Sequence, residues 1–323
     1  MIHTPHLTRR RLLACAAAAI PLSSWAAWPE RNLRWVVPYA AGGGADTAAR
    51  VIGQRVAELL GQPVVIDNKP GAGGMLGADL VAKAPADGYT VLFDASAFAV
   101  NGALRKLPYD PLTDFIPVSL AVSAPQILVV SPQSRFKTLA DLVAAAKAAP
   151  GKLTFASAGA GTGSHLAAEL MNDQASIDLL HVPYKGGAPA LTDVMAGSVD
   201  CYFGNAASTQ QHVTGGKLHA LAVSSRTRLK ALPDMPTLAQ SGMPEFEVLE
   251  WNGAFLPKGT PNEVVARFAK AFRDAMEDPK VRDRLSQGGV TPVGTSPAEF
   301  AQFVERESKR WQALVKARKI TVD

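Results

Sequence analysis

Cysteine is almost missing from this chain. Cys15 and Cys201 are the only two in 323 residues, so no disulfide framework holds the fold. Charge is sparse too, at 19% of residues against 47% hydrophobic; that balance excludes a disordered chain and describes a soluble protein with a sizeable core. The formal charge of +5 includes Arg9, Arg10 and Arg11, whose removal with a leader leaves about +2. No basic run or aromatic-basic interleaving follows them, which excludes nucleic acid as a partner. The apolar run Leu12–Leu22 is too short to span a bilayer.

That run belongs instead to an export signal. Thr8-Arg9-Arg10-Arg11 precedes it, and Ser24-Trp25-Ala26 supplies small residues at the two positions a signal peptidase reads. Residues 1–26 are therefore expected to be a signal peptide. The adjacent arginines leave two routes open, the twin-arginine path for folded proteins and ordinary secretion. Leu12-Leu13-Ala14-Cys15 looks like a lipoprotein box, but almost no apolar stretch precedes it, so cleavage is expected near Ala26 or Ala27. Cys201 is then a lone thiol inside an apolar strand, read as core packing.

The stretch Leu33–Leu60 organises the rest. Leu33, Trp35, Val36 and Val37 read as a short buried strand ended by Pro38, and Ile52, Val56, Leu59 and Leu60 mark one face of a helix. Between them lies Ala40-Ala41-Gly42-Gly43-Gly44-Ala45-Asp46. Glycines let a ligand approach the backbone, and a helix start offers unpaired N–H groups with partial positive charge. The combination is an anion site made of neutral backbone. It holds no lysine or arginine before Arg50, which excludes a Walker-type phosphate loop. A small carboxylate fits better than a triphosphate.

With 323 residues, two domains of ordinary size are possible. Strands at Pro63–Ile66 and Thr90–Phe93, with a helix at Ala78–Lys83, continue a series that predicts a parallel, doubly wound α/β sheet. Residues 95–125 are expected to be less regular, with a short helix near Phe98–Leu104 and an extended stretch around Phe115–Val122. A second series begins at Ile127–Val130 and repeats the plan of strand, glycine loop and helix at Leu153–Ala156, Ser157–His165 and onward to Met171. Strands at Leu179–Pro183, Val199–Phe203 and Leu218–Ser224 and a helix at Ala188–Met195 complete it. Phe246–Leu256 is extended. Two C-terminal helices are expected to start with capping boxes at Thr260-Pro261-Asn262-Glu263 and Ser296-Pro297-Ala298-Glu299. The last one, striped by Phe300, Phe303, Val304, Trp311 and Leu314, is expected to pack on the first domain.

Several motifs in this order resemble the Bug-type periplasmic solute receptors of tripartite tricarboxylate transporters. They are Val36-Val37-Pro38-Tyr39 with Gly42-Gly43 and Asp46, Asn68-Lys69-Pro70-Gly71-Ala72-Gly73-Gly74, and Ala84-Pro85-Ala86-Asp87-Gly88-Tyr89-Thr90. Ser164-His165-Leu166-Ala167-Ala168-Glu169-Leu170, His181-Val182-Pro183-Tyr184-Lys185-Gly186-Gly187 and Leu232-Pro233 with Pro236-Thr237-Leu238 follow. The resemblance implies a type II periplasmic binding protein, with two Rossmann-like α/β lobes joined by two extended crossings. Lobe one would comprise residues 27–124 and 229–323, and lobe two residues 125–228. It also implies a monomer in the periplasm, with no cofactor, that closes on a small carboxylated solute and hands it to a membrane permease. The two glycine loops would grip the carboxylate through main-chain N–H groups. Carried over, these are Gly42, Gly43 and Gly44, then Gly161, Thr162, Gly163 and Ser164. The chain departs from the family at Tyr39-Ala40-Ala41, where members commonly have Phe-Pro-Pro; losing the prolines softens the loop and adds a hydroxyl to the pocket wall.

The other expected ligand-binding residues are Tyr39, Asp46, Ser96, Ser157, His165, Tyr184, Lys185 and Asn205. Each has a second reading. Asp46 is an N-cap for the first helix or meets a cationic group. Lys185 faces the ligand or is a solvated charge. Ser96 and Asn205 stand beyond strand ends, where open α/β sheets bind ligands, or cap turns. The rival class is an exported NAD-dependent oxidoreductase, because Gly71-Ala72-Gly73 and Gly77 with Asp94 imitate a dinucleotide fingerprint; the third glycine is misplaced and Asn68-Lys69-Pro70 lengthens the turn. Phe155 stands where a nucleophile elbow around Ser157 needs glycine. His165 and Glu169, spaced i and i+4, lack a third ligand for a metal. His181 reads as packing or a structural hydrogen bond.

Overall fold

A computed structural model describes residues 28–321. The expected signal peptide and Cys15 lie outside the described residues. The first series is β1 (Leu33–Val37), α1 (Gly44–Leu60), β2 (Val64–Asn68), α2 (Met75–Ala82), β3 (Thr90–Ala95) and α3 (Ala97–Leu104). β1 pairs in parallel with β2 and β3, with Trp35 opposite Ile66 and Val91. Trp35 is fully buried at ring-centroid distances of 5.9 Å from Phe93, 6.0 Å from Phe268 and 5.9 Å from Phe272, and this aromatic group anchors the C-terminal helix Asn262–Glu277 to the sheet.

Next comes β4 (Phe115–Val130), sixteen residues without a break. The helix expected near Phe98–Leu104 is α3, and the extended stretch expected around Phe115–Val122 and the strand expected at Ile127–Val130 are one continuous strand. Pro117, Pro125 and two register shifts interrupt the alternation, and both faces are largely buried, so the period-two signal is erased. Its first part pairs with β9 (Leu249–Pro257), and Gln126–Val129 pairs with β7 (Cys201–Asn205). β4 thus runs from one half of the sheet into the other. The second series is α4 (Leu139–Ala148), β5 (Thr154–Ser157), α5 (Gly163–Ala175), β6 (Leu180–Pro183), α6 (Gly187–Ala196), β7, α7 (Ala206–Thr214) and β8 (His219–Val223). The strand order is β2-β1-β3-β9-β4-β7-β5-β6, with β8 also on β4. The sheet is parallel within each series and antiparallel where β4 and β9 run.

The chain closes with α8 (Asn262–Glu277), α9 (Pro279–Gln287), β10 (Thr291–Pro292) and α10 (Pro297–Arg318). The capping box at Ser296 forms as expected. The one at Thr260 does not: the N-cap of α8 is Pro261, which has no side-chain acceptor, and the Thr260 hydroxyl donates to Pro257 O at 2.8 Å. α7 and α9 were not foreseen. α10 packs on α3 and β4, and its last turn reaches α5, where Arg318 Nε donates to Glu169 at 2.9 Å. Cys201 is buried and free.

Candidate functional site

A cavity of about 610 Å³ opens where the two series face each other. Gly43, Gly44 and Ala45 from the start of α1 line one side; Thr162 and Ser164 at α5, Gly187 at α6 and Ala207 and Ser208 at α7 line the other. Gln126, Glu250 and Asn252 on β4 and β9 form the floor. A smaller annex of about 190 Å³ shares Tyr39, Ala95, Thr162 and Glu250 with it, and adds Ser96, Gly161 and Gly163. Among the described residues lining either space there is no lysine, arginine or histidine.

The helix starts explain what that wall does instead. α1, α5 and α6 have Gly43, Thr162 and Gly186 at their N-caps, and none of these caps with a side chain. Their first-turn N–H groups have no intrahelical acceptor. α4, α9 and α10 do not line the cavity, and Thr138, Asp278 and Ser296 close their first turns. Three helix termini therefore converge on one space with donors unspent.

The first loop is fixed from behind by Asp46. It is 3% exposed and sits at the third helical position of α1, not at the N-cap, which is Gly43. It accepts from Gly42 N at 2.8 Å, Asn68 Nδ2 at 3.0 Å and Arg50 Nε at 2.9 Å. The Arg50 bond, with those from Gly42 and Asn68, lowers its pKa to about 2. Asn68 also donates to Tyr39 O, so the Asn68-Lys69-Pro70 motif orients the loop rather than a dinucleotide. Gly42 holds φ +82°, a conformation that favours glycine. Tyr39 donates its hydroxyl to Asp94 Oδ1 at 2.8 Å; burial raises Asp94 to about 7 and pushes the tyrosine well above its usual range.

The second loop is tied inward in the same manner. Gly161, at φ +77°, donates its N–H to His165 Nδ1 at 3.0 Å, and Ala158 N donates to Ser164 Oγ at 2.9 Å. Thr162 Oγ1 donates to Gly159 O at 2.7 Å. Ser157 Oγ lies 2.6 Å from His181 Nε2, and the rings of His165 and His181 stack at 3.9 Å. Burial depresses both histidines to about 4. Since Nδ1 of His165 accepts, its proton sits on Nε2, which faces Glu169 at 3.9 Å.

The structure thus brings Tyr39, Gly43, Gly44, Ser96, Gly161, Thr162, Gly163, Ser164 and Asn205 to the cavity or its annex. Gly42, Asp46, Ser157 and His165 stand behind the wall and shape it. Tyr184 donates to Asp193 at 2.5 Å, and Lys185 is exposed; neither lines the two spaces. Sequence reasoning missed Gln126, Tyr202, Glu250 and Asn252. A signal existed for two of them: Gln126 and Glu250 are isolated polar residues inside apolar extended runs, where burial is costly without a purpose.

The sequence profile of the tripartite tricarboxylate transporter family receptors matches residues 48–320. A UPF0065 protein from the tcbD-tcbE intergenic region of a Pseudomonas strain is 43% identical, over 96% of this chain and 94% of its own length. The protein BugT of Bordetella pertussis is 35% identical over 94% of both chains. Among solved structures, Rhodopseudomonas palustris Rpa4515 with adipate has 34% identity and a TM-score of 0.78, covering 91% of this chain and 99% of that one. MatC of the same organism, with bound malate, has 35% identity and a TM-score of 0.73, covering 89% and 100%. By sequence and by fold, this chain belongs to the Bug-type receptors of the tripartite tricarboxylate transporter family.

Proposed function

We propose that the protein captures a small carboxylate in the cavity between its two halves and delivers it, chemically unchanged, to a membrane permease. The carrying observation is the convergence of three helix N-termini without side-chain caps on a cavity that, among the described residues, no cationic side chain lines. Charge-assisted hydrogen bonds from such N–H groups contribute roughly 1.5–3 kcal/mol each. Adipate and malate in the related structures are the chemistry such a cavity accepts. A solute held from both sides favours the closed arrangement, because donors of α1 and of α5 and α6 meet one anion only when the halves approach. The reading assigns residues 27–124 and 229–323 to one lobe and 125–228 to the other, with β4 and β9 as the crossings. It places the mature protein in the periplasm as a monomer. Among the described residues no helix is long and apolar enough to cross a membrane.

Calorimetric titration with a panel of small mono- and dicarboxylates tests this. One solute should bind per chain, with a melting point that rises with its concentration, and chromatography should recover it unaltered. Saturable binding of NAD(H) with turnover of a reduced substrate would replace the receptor with the oxidoreductase reading.

A further inference from the structure

Glu250 is the one carboxyl group on the cavity wall among the described residues, and it stands at the seam between cavity and annex. Its Oε2 accepts from Ser96 Oγ at 2.5 Å and its Oε1 from Gln126 Nε2 at 3.4 Å. No lysine, arginine or histidine pairs with it among the described residues. A Cβ on Gly163 would lie 1.9 Å from Oε1, so the carboxyl rests against the first residue of α5. That is the helix start assigned above to the solute anion. Two ionised carboxylates side by side repel, and such a pair holds one member in its acid form.

We infer that Glu250 carries a proton when solute is bound and donates it in a hydrogen bond to the solute carboxylate, so that the cleft takes up an anion and a proton together. The inference rests on the carboxylate reading above. No bond is made or broken beyond the proton drawn from water onto Glu250. Burial raises the pKa of Glu250, against the bonds from Ser96 and Gln126 that lower it. The other titratable groups around the cleft leave the role to it. Tyr39 on the β1 side and Tyr202 on β7 are both raised and stay neutral. His165 and His181 behind α5 are depressed to about 4 and also stay neutral. Asp94, at the end of β3 and raised to about 7, is bonded to Tyr39 and is the one competing carrier.

The test is calorimetry of acetate, malate and adipate binding to the mature wild type, Glu250→Gln and Asp94→Asn between about pH 6 and 9, in two buffers of different ionisation heat. In the wild type, affinity should fall as pH rises, approaching tenfold per unit, with up to one proton taken up per solute. Glu250→Gln keeps a donor that cannot ionise, so its profile should be flat and its proton uptake absent; Asp94→Asn should keep both. A slope that survives Glu250→Gln and vanishes in Asp94→Asn would move the proton to Asp94 and overturn the inference. A flat wild-type profile without uptake would overturn it while leaving the receptor reading intact. Loss of all binding in a folded Glu250→Gln would mean that a neutral donor cannot stand in for Glu250, and would overturn the inference. If none of the three probes binds the wild type at any pH, the carboxylate reading fails and this inference falls with it.

Discussion

Replacing Gly43 by aspartate separates the anion site from the fold. Gly43 has φ −74° and ψ 170°, which any L-residue adopts, and a Cβ there meets only Ala40 O, at 3.3 Å. It is the uncapped N-cap of α1, a position aspartate prefers over glycine by a few tenths of a kcal/mol. The variant should therefore melt within about 1 °C of the wild type or slightly above it. The new carboxylate would accept from the first-turn N–H groups of α1 and spend the donors meant for the solute. Losing two charge-assisted bonds of about 1.5–3 kcal/mol each gives about 3–6 kcal/mol, or on the order of 10²- to 10⁴-fold in affinity. Like-charge repulsion adds to this. Gly43→Ala, which neither caps nor charges the loop, should lose about tenfold at most. Calorimetry and thermal melts on both variants make the comparison. Wild-type affinity in the aspartate variant would refute the reasoning, because the anion would then not sit at α1.

Three more outcomes follow from the loops and their supports. Gly163→Ala places a Cβ 1.9 Å from Glu250 Oε1 and 2.7 Å from Gln126 Nε2, so it should cost about 1–3 kcal/mol in urea unfolding and displace the Glu250 carboxyl; an unchanged midpoint would mean that the seam is loose. Asp46→Ala leaves the Gly42 N–H and Asn68 without their acceptor and should destabilise by about 1–3 kcal/mol. Because Asp46 titrates at about 2 when folded, its charge contributes about 2 kcal/mol above roughly pH 4, lost as pH falls through 2, and acid titrations of variant and wild type should differ by that step. His165 and His181 are depressed to about 4 when folded, so the unfolded chain takes up protons first and stability should decline from about pH 6.5 down to 4; His165→Gln should flatten part of that decline, and a wild-type midpoint that does not move across this range contradicts neutral buried rings.

Much of this was legible in the sequence because the carrying features are local. Glycine followed by an amphipathic helix announces an uncapped terminus, and both glycine loops reach the cavity or its annex, through Gly43 and Gly44 and through Gly161–Ser164, with Gly42 behind the wall. Ser296-Pro297-Ala298-Glu299 likewise carries its own capping box. The misses depend on what is distant in sequence. β4 is buried on both faces and bulged, so its length leaves no alternating pattern. Thr260 has the residues of a box, but α8 starts one residue later, with Pro261 at its N-cap, and the Thr260 hydroxyl donates to Pro257 O. Asp46 looks like a cap until Asn68, 22 residues later, and Arg50 show that it braces the loop from inside. Glu250 meets Ser96 across 154 positions, a contact that only the tertiary fold creates.

A crystal structure of the mature protein with the solute retained through purification tests the central claim most directly. The account predicts one carboxylate in the cavity, within hydrogen-bond distance of N–H groups at Gly44 or Ala45 on one side and Ser164 or Gly187 on the other, with no lysine or arginine touching it. A solute bound elsewhere, or a carboxylate paired with a basic side chain drawn into the cleft, would contradict it.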